Sequence, residues 1–580
     1  MKKIFSVILA SIALTSCVDT VILPDDKTVD EDMWQTADDV NGIVACAYST
    51  FRSAELQRDF VVWGDFRSDE LVVSSSAQLT NSSAYKVDLN QIYSLNILPS
   101  NQFANWNELY TTINYCNLVI AKAEGVMQLD PNYTIGDYQA DCAKVKALRA
   151  LCYFYLVRVF RDVPVTDGVY MSSDQDTQVK QTNPEAVLEM CIDDLKDAEK
   201  YVLSSSAYSS GYSQDWRDKG YMTRDAVRAL LADIYLWRAS IYHDAADYQA
   251  CVDYCDKVIA AKNAAHVLGR GEEEADYYLS DYDDFYDDLF GISGQNAEES
   301  IFEIQYNSSG DGSLATMSNT GLAQMYYKYY NNNSSTPYLK TTTNYAVCNV
   351  NASSSNVYKS TNDKRMSEYC YDAGSTSETQ FSVRKFVAER GVDNDNSKSG
   401  STNFANFYHN WIIYRLADVM LMKAEALAQL YELSDKTDDS DNQKAFNLVN
   451  FINRRALPEG STDTLRYNSY KDKMETLILM ERARELCFEG KRWFDLMRYN
   501  YRHVEGIQYD KTFEEMGGSY VANYDEMLKL AVSKYSTTAM TTKMPTEPYL
   551  YWPINSDQMD VNTNLVQNPV WRSSTTTERK

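Results

Sequence analysis

The motif ERARELCFEGKRWFDLMR carries two carboxylates, Glu485 and Glu489, four residues apart and so on one face of a helix. A glycosidase needs such a pair, held at a fixed separation, for general acid and base work. The same stretch places Arg482, Arg484, Lys491 and Arg492 within a turn or two of both acids. Those cations would keep the carboxylates ionised and hydrogen-bonded. The motif therefore reads as a structural ion network, with Trp493 and Phe494 as core anchors. Other catalytic chemistry is thin. The four histidines, His243, His266, His409 and His503, form neither an HExxH motif nor a close cluster, and a nucleophile elbow is absent. Besides Cys17 there are cysteines at 46, 116, 142, 152, 191, 251, 255, 348, 370 and 487, without metal-ligand spacing. Cys251 and Cys255 would share a helix face as two buried thiols, and Cys116, Cys152 and Cys487 sit in apolar helical patterns. DYDDFYDDLFG and DNDNSKSG offer oxygen ligands at spacings that could hold Ca²⁺. Neither has the glycine and glutamate of an EF-hand loop, so both read as solvated acidic loops, with a structural Ca²⁺ as the alternative and no other cofactor implied.

The chain opens MKKIFSVILASIALTSC. Lys2 and Lys3 precede an apolar run, Ile4 to Leu14, that is too short to span a bilayer. This is the anatomy of a secretory signal peptide over residues 1–16. Leu14, Thr15, Ser16 and Cys17 together resemble the lipobox of bacterial lipoproteins, in which the thiol is acylated and becomes the mature N-terminus. Two or three acyl chains would anchor the protein firmly in a membrane. A plain signal peptide followed by an incidental cysteine is the blander alternative.

Charge narrows the partners further. The formal net charge is -27, and loss of residues 1–16 removes two lysines and no acids, giving -27 - 2 = -29. Phosphate backbones require clustered cations, so nucleic acid is excluded as an expected partner. The same charge disfavours anionic polymers. Aromatics point elsewhere, because 45 Tyr and 9 Trp supply flat rings with polar edges. Sugar faces stack on such rings beside Asn, Asp and Arg. Most of these rings belong to the core, among them Tyr153, Tyr155, Trp237 and Trp411. Two groups are less bound to helices and are the candidate ligand contacts: Tyr326, Tyr327, Tyr329 and Tyr330 in QMYYKYYNNN, and Trp63 and Asp69 in VVWGDFRSDE with Asn105 and Trp106.

The elements that would hold these residues are mostly helical. In KVKALRALCYFYLVRVF the residues Val145, Leu148, Cys152, Tyr155 and Val159 recur every three or four positions, leaving Lys146, Arg149 and Arg158 for other faces. Comparable patterns fill residues 103–260, with Asn183 (ahead of Pro184) and Thr223 as N-caps. They return in WIIYRLADVMLMKAEALAQL, DNQKAFNLVNFINRRA and KDKMETLILMERARELCFEGKRWFDLMRYN. Between about 265 and 405 the chain is rich in Ser, Asn, Asp and Tyr, with strand-like pieces such as SIFEIQY. The expected fold class is all-α: consecutive helical hairpins of tetratricopeptide-like packing with long irregular loops and a central insert containing short strands. The expected organisation is a single domain over 17–580, with scaffold at about 30–265 and 405–500, insert at about 265–405, and a loop-rich C-terminal segment at about 500–580.

Several stretches, in order, resemble the SusD/RagB family of outer-membrane nutrient-binding lipoproteins of the Bacteroidetes: KALRALCYFYLVRVFRDVPV, IFEI, YRLADVMLMKAEAL, ERARELCFEGKRWFDLMR and YLYWPINSDQMDVNTNLVQNP. One departure is Arg161, where the family pattern usually has Gly; it is expected to alter only a turn. The resemblance implies a tetratricopeptide-like framework whose loops and insert carry the ligand site. It also implies a lid over a SusC-like TonB-dependent transporter at the cell surface, anchored in outer-membrane lipid through acylated Cys17. Such proteins bind oligosaccharides, or peptides in RagB-like relatives, and do not cut. A neutral glycan is the expected ligand; a secreted glycoside hydrolase is the alternative from another class.

Overall fold

In the computed structural model, which describes residues 33–74, 84–166, 168–170, 175, 177–209, 215–270, 277–291, 295–306, 319–326, 338–342, 345, 356–371, 382–386, 408–520, 534 and 546–571, short polar side chains set several helix starts. α1 (Ala37–Phe51) opens behind Thr36, whose N–H donates to Asp39 at 2.8 Å. α2 (Ala54–Val61) opens behind Ser53, which accepts from the Leu56 N–H at 3.1 Å. α3 (Asn107–Leu129) is followed by α4 (Ile135–Phe160), which begins in a capping box of Thr134 and Asp137. Asn183 caps α5 (Pro184–Tyr201), accepting from Ala186 at 2.9 Å, as the sequence predicts. Thr223 does stand before α6 (Arg224–Tyr242), but its buried hydroxyl makes no cap bond. α7 (Ala245–Arg270), α8 (Leu416–Leu433), α9 (Ser440–Arg455), α10 (Met474–Glu485) and α11 (Arg492–Arg502) continue the scaffold.

Short connections at 130–134, 243–244 and 434–439 fold neighbouring helices back on one another, so that α3 packs on α4, α6 on α7 and α8 on α9. α1 packs on α3, α5 on α4, and α8 on α7. This is the expected tetratricopeptide-like helical architecture. Small side chains permit close approach: the Cys251 Sγ of α7 lies 3.9 Å from the Met422 carbonyl of α8. Cys116, Cys152, Cys251, Cys255 and Cys487 are free, buried thiols.

α4 differs from the single apolar stripe read in its sequence. Because α3 and α5 cover both flanks, it is buried all round over most of Ala140–Phe160, Lys144 and Arg158 included. Each of these cations has a carboxylate, Lys144 with Asp141 at 3.0 Å and Arg158 with Asp233 at 3.4 Å. The Arg158 guanidinium also lies over the rings of Phe154, Tyr155 and Phe494.

Two further departures lie where distant segments meet. The piece SIFEI is a strand, β2 (Ser300–Ile304), as expected, following β1 (Leu71–Val73). β1 pairs with β3 (Leu339–Thr341). β2 pairs antiparallel with β4 (Trp411–Arg415), residues that the sequence pattern assigns to the start of α8. The β-branched Ile412 and Ile413 suit a strand, and the ladder to β2 decides it. The long run KDKMETL to RYN likewise splits, with a turn at Leu486–Lys491 in which Phe488 has φ +65° and Gly490 φ +72°. That turn meets the π-helical turn Val62–Phe66: a Cβ on Gly64 would lie 1.9 Å from the Gly490 carbonyl oxygen. Only glycine fits so close a backbone crossing.

Candidate functional site

Glu485 and Glu489 are fully buried. Arg415, at the end of β4, reaches Glu485 at 2.7 Å, Glu489 at 2.8 Å and Glu299 at 3.1 Å. Arg455 of α9 pairs with the same Glu485 and with Glu299. The insert contributes Arg365, at 2.7 Å from Glu481 and 2.9 Å from Glu485, and Lys385, at 2.6 Å from Glu489. Burial would raise the Glu485 carboxyl, but the guanidinium groups of Arg455, Arg415 and Arg365 hold it well below the usual carboxylate range. Glu489 is likewise held down against burial by Arg415 and Lys385. An acid and base pair must exchange protons with a substrate; these carboxylates are locked in the charged form away from solvent. The network ties the insert to the scaffold, with Trp493 and Phe494 buried beside it as expected.

DYDDFYDDLFG is not the solvated loop expected of it. It contains the helix Phe285–Phe290, whose apolar face packs against the network, with the Phe285 ring beneath Arg455 and the Phe290 ring beneath Lys385. Burial of four of its six side chains explains the difference. Among the described residues no group of three or more His, Cys, Asp or Glu could hold a metal ion. DNDNSKSG lies outside the described residues.

The candidate ligand contacts are corrected in part. Trp63 is 1% exposed, donates its Nε1–H to the Phe103 carbonyl at 2.8 Å and sits edge-on to Phe60 and Phe160. Tyr326 is fully buried, its hydroxyl 3.4 Å from Asp65. Asp69 is paired with Arg492 at 2.9 Å. Trp106 is 5% exposed and packs edge-on against Tyr110 and Phe160. Asn105 uses its side-chain oxygen on the Asn107 N–H at 2.9 Å and on Gln558 at 2.8 Å. A polar-edged ring serves a core as well as a surface. Trp63, Trp106 and Tyr326 are core rings, Asp69 is a buried ion-pair partner of Arg492, and Asn105 is half-buried with its side-chain oxygen engaged twice. Tyr327, Tyr329, Tyr330 and Cys17 lie outside the described residues.

A different aromatic group lines a pocket that opens to solvent. Tyr48 and Arg52 come from the end of α1, Trp216 and Tyr221 from the segment before α6, and Glu303 and Gln305 from β2 and its exit. Tyr221 meets Tyr48 edge-on at 4.8 Å and tilts against Trp216 at 5.4 Å. A Cβ on Gly220 would lie 2.7 Å from Gln305 Cγ and 2.8 Å from the Trp216 ring, so this glycine lets the pocket wall close. The Glu303 carboxyl is raised by burial and accepts from Asn410 at 2.8 Å. Among the described residues, Arg52 Nε has no hydrogen-bond partner. Burial lowers the Arg52 pKa, and only the phenols of Tyr306 and Tyr221 oppose it.

Two family models match the chain, one described as "Starch-binding associating with outer membrane" over residues 26–236 and one as "SusD family" over 322–571. A SusD-like protein of Formosa agariphila is 24% identical over 506 residues, spanning 86% of this chain and 90% of its own length. A SusD-like protein of Bacteroides ovatus is 22% identical, spanning 98% and 97%. A SusD superfamily crystal structure from Bacteroides thetaiotaomicron superposes with a TM-score of 0.62 at 22% identity, covering 93% of this chain and 99% of that one. A structure described as a laminarin-binding SusD-like protein gives 0.61 at 19% identity, with 92% and 99% covered. The chain belongs to the SusD/RagB family.

SusD-like proteins are carbohydrate-binding proteins associated with the outer membrane, and this chain has their tetratricopeptide-like scaffold. Against the SusD/RagB pattern, Arg161 does more than alter a turn. It is completely buried and paired with Asp162 at 2.6 Å and Glu547 at 2.9 Å. The pocket residues Tyr48, Arg52, Trp216 and Tyr221 are not among the candidates that the sequence singles out. Trp216 and Tyr221 stand off the long helices in QDWRDKGYM, the same signal that marks the other candidate aromatics. Tyr48 and Arg52 belong to a helix and carried no local signal.

Proposed function

We propose that this SusD/RagB protein is a cell-surface lipoprotein, anchored through acylated Cys17, that captures a largely neutral glycan and hands it to a SusC-like TonB-dependent transporter. Family membership is the observation that carries this reading. A relative described as laminarin-binding supports a glycan over a peptide. The arginine-locked Glu485 and Glu489 support capture without cleavage. Tyr327, Tyr329 and Tyr330 of the insert are the proposed stacking platforms, since Tyr326 beside them is committed to the core. Ring stacking of this kind contributes on the order of 1–3 kcal/mol per platform, by analogy with bases on aromatic side chains.

Native gels cast with a panel of neutral polysaccharides, run beside a peptide-pool binding assay and a reducing-sugar release assay, test the whole reading. Retardation by at least one neutral glycan without sustained sugar release is expected. Capture of peptides alone would favour the RagB-like alternative, and steady turnover would overturn the non-catalytic role.

A further inference from the structure

The pocket between the end of α1, the Trp216–Tyr221 segment and β2 holds a cation, Arg52, that meets no carboxylate among the described residues. Acidic residues outnumber basic ones by 82 to 55, so carboxylates are plentiful. Six buried arginines, Arg161, Arg365, Arg415, Arg455, Arg492 and Arg498, each have at least one at salt-bridge distance, while the buried Arg67 donates to the Leu550 carbonyl and lies over the Trp493 ring. Arg52 is half-buried beside phenols, and among the described residues no carboxylate acts on its charge; Glu303, in the same lining, is turned to Asn410 instead. Leaving a desolvated guanidinium without an anion is unfavourable. Its planar fork matches a carboxylate through two parallel hydrogen bonds. The rest of the lining suits a sugar ring: Trp216 and Tyr221 offer faces for C–H groups, and the Gln305 amide oxygen, which accepts one hydrogen bond from Asn410, has a second lone pair for a hydroxyl.

We propose that this pocket is a carbohydrate subsite for one acid-bearing sugar, a hexuronate, with its carboxylate on Arg52 and its ring against Trp216 and Tyr221. This rests on the glycan-binding reading and refines it. The net charge of the chain opposes a dense polyanion at long range, whereas a single uronate on an otherwise neutral glycan meets a local cation. Gly220 belongs to the device, because any larger residue there would push Gln305 and the Trp216 ring apart.

Monosaccharide probes separate this subsite from capture of the whole glycan. Ligand-observed NMR titration of the full chain in mild detergent would compare methyl glucuronide, methyl glucoside and acetate. The glucuronide should bind about tenfold or more tighter than either of the others, the scale expected of a hydrogen-bonded charge pair. Arg52→Gln should abolish that preference with little change in melting temperature, since among the described residues Arg52 Nε has no hydrogen-bond partner and no carboxylate acts on its charge. Trp216→Ala should weaken the glucuronide and leave acetate unchanged. Equal binding of glucuronide and glucoside overturns the proposal, as does acetate binding as tightly as the glucuronide, or an Arg52→Gln protein that keeps the preference. Retardation by neutral polysaccharide in native gels reports the broader glycan reading independently of all these outcomes.

Discussion

Arg161 shows how much one residue can hold. It sits at φ +70° and ψ -78°, and the Asp162 N–H donates to the Phe160 carbonyl at 3.0 Å, closing a γ-turn of the strained hand. Glycine adopts that backbone freely, whereas a larger residue loses about 1–3 kcal/mol. The side chain offsets the strain. It pairs with Glu547 and Asp162, donates to the Gln508 and Lys511 carbonyls at 2.7 and 2.8 Å, and lies 4.4 Å above the Phe513 ring. One guanidinium thus joins the end of α4 to two C-terminal segments. Replacing it with the family's glycine relieves the turn but leaves two buried carboxylates without their cation, a loss of roughly 3–5 kcal/mol. Arg161→Gly should therefore be less stable by about 2 kcal/mol in urea unfolding. A more stable variant would show that the turn costs more than the ion pairs return.

At the scale of elements, the ion network joins β4, α9 and α10 to the insert, and it should be visible in the pH dependence of stability. Glu481, Glu485 and Glu489 are held below their ordinary value by arginine and lysine partners, and Asp418 is held at about 2 by Lys491 and Arg482 against burial. Depressed folded values mean that the unfolded chain takes up protons first on acidification. This stability is complete above about pH 4.5, the unfolded range, and is lost as pH falls towards about 2. Asp65 and Asp162 act in the opposite sense, because burial pushes them up to about 7 and about 6. They protonate first in the folded state, so their contribution grows as pH falls from about 7 to about 4. The melting temperature should peak in the mildly acidic range and drop steeply below about pH 4. Glu485→Gln should cost about 3–5 kcal/mol at pH 7 and flatten that acid limb, because Arg365, Arg415 and Arg455 would lose the carboxylate they share. An unchanged acid limb in Glu485→Gln would show that other carboxylates dominate it.

For the whole molecule, the governing quantity is a formal charge of -27. Its field is felt over roughly 30 Å at 0.01 M salt and about 10 Å at 0.1 M. Polyuronates and sulfated polysaccharides should therefore retard the protein less than neutral glycans at low salt, with the gap narrowing as salt is added. A polyanion that binds best at low salt would contradict both the field argument and the proposed neutral ligand. Surface capture also requires contact with a transporter barrel, and a charge of this size would orient the protein towards cationic partner surfaces.

The sequence by itself determined the helical class, the core side of Cys116, Cys152, Trp237, Trp493 and Phe494, the Asn183 cap and the ion-network reading of Glu485 and Glu489. These follow from patterns only a few residues long: helical period, capping chemistry and the density of cations around an acid. It also carried the family resemblance, through motifs spread in order along the chain. Tertiary structure decided the rest. WIIYR is a strand because β2 lies beside it, and the α10 to α11 run breaks because Gly490 meets Gly64. Trp63, Trp106 and Tyr326 share with a sugar platform every local property of an aromatic ring with a polar edge, and only their neighbours place them in the core. The pocket around Arg52 joins α1 to residues some 170 and 250 positions further along the chain. Whether a cation meets a carboxylate across such distances depends on how the helices stack, and no short window of sequence contains that information.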